Sequence, residues 1–412
     1  MSSSAEQPPV RRPRRSILLV LMATAVSGAS GFVTLLIVAP VLGPAGYASF
    51  SMYWAVLFMV VGVLFGVQQE TTRAVSDAGE YQARPGDSSV IRFSGALGLA
   101  VLVLLVATAL IWAEPVFGAG NGGWALPLAI GAASYVSVAA LNGILAGSGH
   151  WGGFAAVPFI DALLRLLLVA VVLWMGADGT ALAWAVAIPF PVSLLVVGSV
   201  WWTVVRSRSR VREPYRAFAF NASRTIVAST ANAVLVTGFP VILSLMAGGD
   251  RAALGVVVLA LTLSRAPILV PLTVLQSMLI ARFSASPKEA PRLMAIAVAA
   301  LAVATPVIGA VAGLWGASVL TALFGEQFAV PGALLTWLVI ASGCLGLLTI
   351  TGARVLAAGH HTVFATGWVL ACVLAVATVA FTPGDVGVRT VVGLVVGPLI
   401  GAGWHLLFGR RR

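Results

Sequence analysis

Apolar residues run through this chain in stretches of about 20, cut by short polar breaks. Twelve runs fit, at 17–40, 48–69, 93–112, 124–147, 153–175, 181–204, 221–247, 253–281, 293–315, 330–357, 363–382 and 389–408. In a bilayer such a run can satisfy its own backbone only as a helix. The pattern therefore predicts an all-α polytopic membrane protein of about 12 transmembrane helices. The eighth run holds Pro267 and Pro271 and is expected to bend. Pro158, Pro189, Pro191, Pro240, Pro306 and Pro398 mark further breaks.

Composition agrees. The 412 residues are 60% hydrophobic and 9% charged, with a mean hydropathy of +1.03. A soluble domain of this size carries far more charge. The net charge of +11 does not point to nucleic acid, because the basic residues sit between apolar runs and no basic–aromatic module is present. Cys344 and Cys372 fall in different runs, so a disulfide framework is not expected.

Charge also orients the chain. The termini and one set of loops hold eighteen of the 24 basic residues: Arg11, Arg12, Arg14 and Arg15; Arg73, Arg84 and Arg92; Arg206, Arg208, Arg210, Arg212 and Arg216; Arg282, Lys288 and Arg292; Arg410 to Arg412. The opposite loops hold Arg251 and Arg389 beside Glu114, Asp178, Asp250, Glu326 and Asp385. The positive-inside rule places both termini in the cytoplasm. Trp112, Trp124, Trp174 and Trp315 near the outer helix ends read as an aromatic belt. The basic N-terminal segment leads into a long apolar run with no small-residue cleavage site, so it reads as a tail before the first helix.

The chain repeats itself weakly. "GHWGGFA" (149–155) and "GHHTVFA" (359–365) match at an offset of 210, and "VFG" (116–118) and "LFG" (323–325) at nearly the same offset. "VQQETTRAVS" (67–76) and "VLQSMLIARFS" (274–284) close the second helix of each set. Two pseudo-symmetric six-helix bundles around a central cavity are predicted. The divisions are a cytoplasmic basic tail (1–16), an N-terminal bundle (17–204), an Arg-rich linker (205–220), a C-terminal bundle (221–408) and a basic tail (409–412).

Three stretches carry a resemblance. "GFVTLLIVAPVLGPAGYASFSMYWAVLFMVVGVLFGVQQETTRA" (31–74) resembles the opening helix pair of bacterial polysaccharide and oligosaccharide flippases. "TLSRAPILVPLTVLQSMLIARFS" (262–284) resembles their eighth helix, and "LTALFGEQFAVPGALLTWLVI" (320–340) the segment before their tenth. On these residues the chain is identified as a member of the multidrug/oligosaccharidyl-lipid/polysaccharide exporter superfamily. The likeness covers most of 17–380. Twelve helices, without the two extra helices usual in lipid II flippases, favour the polysaccharide (O-antigen-type) branch. The resemblance implies alternating access between two bundles and movement of a lipid-linked glycan. It also implies that a cavity arginine holds the pyrophosphate, and by motif only Arg265 carries that role over.

Four arginines fall within predicted spans: Arg165, Arg224, Arg265 and Arg354. A charge at mid-bilayer costs about 2.5–3.5 kcal/mol on insertion scales, so it must face protein or water. Asp161 lies one turn before Arg165, the better order for an ion pair. Either the two neutralise each other as a structural tie or they serve substrate coupling. Arg224 and Arg354 lie near inner helix ends and read as snorkelling to headgroups or as phosphate contacts. Arg265 is deep, with no acid one turn away, and points to a water-filled cavity. Guanidinium suits phosphate oxygens, so Arg265, Arg165, Arg224 and Arg354 are the candidate phosphate-binding residues.

His150 and His360 read as polar residues after a Gly turn. His361 and His405 have no metal-site partners in sequence, and "GAGNGG" (118–123) lacks the context of a nucleotide loop. Asn142, Gln68, Gln69 and Gln276, near inner helix ends, read as contacts to sugar hydroxyls or as bridges between helices, with helix contacts favoured. No cofactor and no enzymatic centre is expected. The predicted function is transport of a polyprenyl-phosphate-type lipid-linked saccharide across the cytoplasmic membrane for envelope polysaccharide synthesis. Expected partners are that lipid-linked glycan and membrane lipids, with a glycan polymerase or glycosyltransferases as candidate protein partners. The alternatives are a cation-coupled multidrug antiporter, which wants intramembrane carboxylates, and a non-transporting envelope-biosynthesis scaffold.

Overall fold

The computed structural model describes residues 14–79, 87–246, 250–286 and 288–409. Most of the two predicted tails therefore lies outside the described residues. The first 65 helical residues, Arg14–Ala78, are broken at Gly43, whose φ of 66° and ψ of 176° leave the helix. Only glycine adopts that region readily. The arms before and after it, α1 (14–42) and α2 (44–78), fold back on each other. A Cβ placed on Gly31 would lie 3.4 Å from the Trp54 ring, and these residues are about equally far from Gly43 along the chain.

The remaining spans are α3 (Val90–Phe117), α4 (Ala125–Gly147), α5 (Trp151–Trp174), α6 (Gly179–Val200), α7 (Tyr215–Val236, continued by Phe239–Met246), α8 (Arg251–Ala285), α9 (Ala290–Phe324), α10 (Gly332–Ala357), α11 (His361–Phe381) and α12 (Val386–Phe408). With the first element counted as two arms and α7 as one broken span, the described residues form twelve apolar helices, a polytopic all-α membrane protein. Three acids of the loops opposite the Arg-rich ones have a local task. Asp178, Asp250 and Asp385 accept the amides of Ala181, Ala253 and Val388 at 2.8–2.9 Å and cap α6, α8 and α12.

The breaks do not all fall where expected. α8 runs as one helix through Pro267 and Pro271. The sharp break lies in α7, whose two parts meet at 65° beside Pro240. α6 is interrupted at Ile188, just before Pro189. Trp174 and Trp315 are exposed, as an interfacial belt requires. Trp124 is not: it is 5% exposed and packs edge-on against Tyr53, because the α3–α4 loop folds inward over the helix ends.

Packing links α1 to α6 with one another and α7 to α12 with one another, and α1 and α2 meet α7 and α8. Two close approaches fix that seam. A Cβ on Gly66 would lie 2.5 Å from the Ile226 amide nitrogen, and one on Gly255 would lie 2.0 Å from the Pro44 carbonyl oxygen. The two Gly-His turns are one structure made twice. Gly149 and Gly359 have φ of 78° and 79°. His150 and His360 donate their amides to Leu145 and Val355 at 2.8 and 3.1 Å.

Candidate functional site

Trp54 of α2 stands between two cavities. On one side, about 310 Å³ of space lies between α1 and α2 and the facing α7 and α8. Its wall is mostly apolar, with Phe32, Leu35, Val258 and Leu269 among its residues, and among the described residues no carboxylate lines it. Arg265 supplies its charge.

Arg265 is 8% exposed. Its Nη1 donates to the Val236 carbonyl at 2.7 Å, and the guanidinium carbon lies 6.0 Å from the Phe239 ring centroid. The sequence explains why that carbonyl is available. In an unbroken helix Val236 would accept from residue 240, but Pro240 has no amide hydrogen. The chain breaks there, and the amides of Thr237 and Gly238 both turn back to Ala233, at 3.0 and 2.9 Å. One Arg265 donor takes the carbonyl left over. Its Nε and Nη2 are buried without a partner among the described residues. Buried, unpaired donors on a cation are costly, so this side chain is chemically prepared for an anion.

On the other side of Trp54, within the first helix set, about 160 Å³ holds the second charged site. Arg165 Nη2 meets Asp161 Oδ2 at 2.5 Å, and both residues are buried. Arg165 Nε donates to the Val186 carbonyl at 3.3 Å. The guanidinium carbon lies 4.9 Å from the Phe58 ring centroid, 5.1 Å from that of Phe190 and 5.8 Å from that of Trp54. This aromatic box adds cation–π attraction to the ion pair. The other carboxylate oxygen, Asp161 Oδ1, and Asn142 Oδ1 are buried acceptors without a partner among the described residues.

The four arginines do not share one site. Arg224 is exposed, 5.8 Å from the Phe220 ring centroid. It lines a groove of about 880 Å³ near the Arg-rich end of the molecule, with Glu70, Arg73 and His361. Arg354 is partly buried in the last turn of α10 and lines none of these three cavities. Near Arg224, Arg73 holds Glu70 at 2.5 Å, Glu213 at 2.7 Å and Asp77 at 2.8 Å. His150 is absorbed locally, with Nδ1 2.9 Å from Ser148 Oγ. His405 is buried between the Thr351 hydroxyl and the Phe364 carbonyl, each at 3.2 Å.

Trp54 was not legible as a site residue, and Asn142 was read as a helix contact in preference to a sugar contact. Both sit in apolar or small-residue runs typical of helix packing. The Val236 carbonyl was signalled by Pro240, since a helix proline always frees the acceptor four residues earlier.

The architecture is that of a known class of transporter. The structure of MATE in complex with MaL6 superposes with a TM-score of 0.70 at 15% identity, over 97% of this chain and 96% of that one. An outward-facing multidrug resistance MATE family transporter of the MOP superfamily gives 0.68 at 17% identity, over 96% and 94%. A MOP superfamily transporter from Pyrococcus furiosus gives 0.66 at 18% identity, over 97% and 95%. The sequence is more specific. Residues 14–286 match the family model described as "Polysaccharide biosynthesis protein", and the chain belongs to that family. It is 35% identical over 404 residues to the uncharacterized protein Rv3630 of Mycobacterium tuberculosis, covering 95% of this chain and 91% of that one. It is 33% identical over 413 residues to the uncharacterized protein Rv1510 of the same species, covering 97% and 92%. The protein is a multi-pass membrane protein of that polysaccharide-biosynthesis family, built on the fold of these transporters.

Proposed function

We propose that this protein moves a lipid-linked saccharide of the polyprenyl-phosphate type across the bacterial cytoplasmic membrane, for envelope polysaccharide synthesis. In this reading two six-helix bundles alternate access to the cavity between them, with both termini in the cytoplasm. Arg265 is the phosphate-binding residue. One observation carries the reading: a buried guanidinium, with two donors unpartnered among the described residues, stands in a cavity that no described carboxylate lines. The anion of a polyprenyl-phosphate glycan meets that need, the saccharide stays in the cavity and the prenyl tail remains in lipid. Arg224 is proposed to meet phosphate at the Arg-rich mouth. Arg165 is assigned to its pair with Asp161, and Arg354 to the headgroup region.

A cation-coupled multidrug antiporter draws support from the fold neighbours. It would need a carboxylate free to hold a cation. Asp161 is paired with Arg165 and Glu70 with Arg73, so the charge balance favours an anionic substrate.

The test is complementation. In a strain depleted of this protein, the lipid-linked intermediate should accumulate, as read by mass spectrometry of lipid extracts. The wild-type chain should clear it. Arg265→Ala, present in the membrane at the normal level, should not. Arg265→Lys should clear part of it, since charge survives and the bidentate fork does not. Normal clearance by Arg265→Ala would overturn the proposal.

A further inference from the structure

The Arg-rich end carries a second feature, outside the seam between the helix sets. Strand β1 (Ser88–Ser89), just before α3, pairs antiparallel with β2 (Arg210–Val211), beyond the end of α6. This short ladder ties the bases of α3 and α6 together. Above it the two helices stand apart, and α4 forms the floor between them. The result is an apolar groove of about 630 Å³. Gly95 and Gly198 line it from opposite walls, and a Cβ on either would meet nothing within 4 Å. Exposed Trp202 continues the α6 wall toward the ladder, and exposed Leu195 extends it the other way.

Three arginines stand near the ladder end of this groove, beyond the residues that line it. Arg206 lies one turn beyond Trp202 in the short helix Trp202–Arg208. Arg92 lies within a turn of Gly95 at the start of α3, and Arg210 is in the ladder itself. All three are exposed, and none forms an ion pair with another described residue. The nearby acids are engaged elsewhere: Glu213 holds Arg73, and Asp87 has a partner of its own. A hydrocarbon slot with three exposed arginines within about a turn of its lining or in the adjoining ladder suits a lipid with a negative headgroup.

We infer that the α3–α4–α6 groove is a binding site for an acidic glycerophospholipid, with one acyl chain between Gly95 and Gly198 and the phosphate at Arg92, Arg206 and Arg210. The occupant is a resident lipid and not the transported one. The groove lies on the face of α4 opposite Asn142 and the Asp161–Arg165 pair, away from the cavity that holds Arg265. A lipid there would brace the α3–α6 gap and fix the ladder that anchors the Arg-rich linker.

Native mass spectrometry of the purified full chain tests this, with dioleoylphosphatidylglycerol or dioleoylphosphatidylcholine added in detergent. The wild type should retain one phosphatidylglycerol more tightly than phosphatidylcholine. Arg92→Gln/Arg206→Gln should weaken that retention by roughly 30-fold, each arginine near an anionic headgroup contributing about fivefold. Gly198→Leu, which fills open space, should remove the tight lipid with all charges intact. Equal retention of both lipids, or retention unchanged in both variants, would show annular lipid only and overturn the inference. Arg265→Ala should leave the bound lipid in place, so this result stands apart from the transport assay.

Discussion

Arg265 on α8 and Val236 on α7 are joined because Pro240 cannot be. The carbonyl at the α7 break is held by a guanidinium at 2.7 Å, in place of the helix amide that proline lacks. A break in one helix thereby sets the position of a charge on another.

Restoring the amide should undo this. In Pro240→Ala, the new N–H competes for the Val236 carbonyl, α7 can straighten, and Arg265 loses its anchor. A hydrogen bond to a charged group is worth about 1.5–3 kcal/mol, so glycan export should fall about tenfold or more at normal protein level. The double variant Pro240→Ala/Arg265→Ala should be no worse than Arg265→Ala alone. Additive losses would show that the two residues act separately.

The Asp161–Arg165 pair makes a different demand. Both groups are buried, so losing one partner strands the other. Asp161→Asn or Arg165→Met alone should destabilise the protein by about 3–5 kcal/mol, and the double variant by much less. Thermal unfolding in detergent across the four proteins reads this directly. Losses that simply add would mean that the pair contributes nothing as a pair.

Much of this was legible in the sequence. Hydropathy alone predicts the twelve spans, because lipid forces long apolar runs into helices. The i, i+4 spacing predicts that Asp161 meets Arg165, because both lie on one helix. The surroundings of Arg265 were less legible. Its depth and lack of a local acid could be read, but its partner is a backbone carbonyl 29 positions away in sequence. Pro240 marks the free carbonyl, but nothing in the sequence says that a residue of another helix will take it. The prolines differ in what they do. Pro267 and Pro271 are accommodated within one continuous helix, whereas Pro240 beside Gly238 ends one. Trp124 left the expected belt because an inward-folded loop outweighs its position at a helix end.

Gly43 should tolerate little. Its φ of 66° and ψ of 176° form the tip between α1 and α2. Gly43→Ala should cost about 1–3 kcal/mol, the usual cost of holding a side chain in such a region. The midpoint of thermal unfolding in detergent should fall accordingly. An unchanged midpoint would mean that the hairpin adopts another turn.

The seam between α2 and α7 offers the most direct test of alternating access. Thr225 Oγ1 donates to the Gly66 carbonyl at 2.9 Å, and one turn along, a Cβ on Gly62 would lie 2.9 Å from the Ala233 Cβ. Disulfides need Cβ atoms about 3.5–4.5 Å apart, so a small easing of the two backbones would let Gly62→Cys and Ala233→Cys join. The native Cys344 and Cys372 are free and partly buried, and both should first be replaced by Ala. If the helix sets separate at this level during transport, oxidative cross-linking should stop glycan export, and reduction should restore it. Either single cysteine should be insensitive to the oxidant. Full cross-linking with undiminished export would rule out separation of α2 from α7 as the transport motion, leaving the α1–α8 side of the Arg265 cavity as the side that must open.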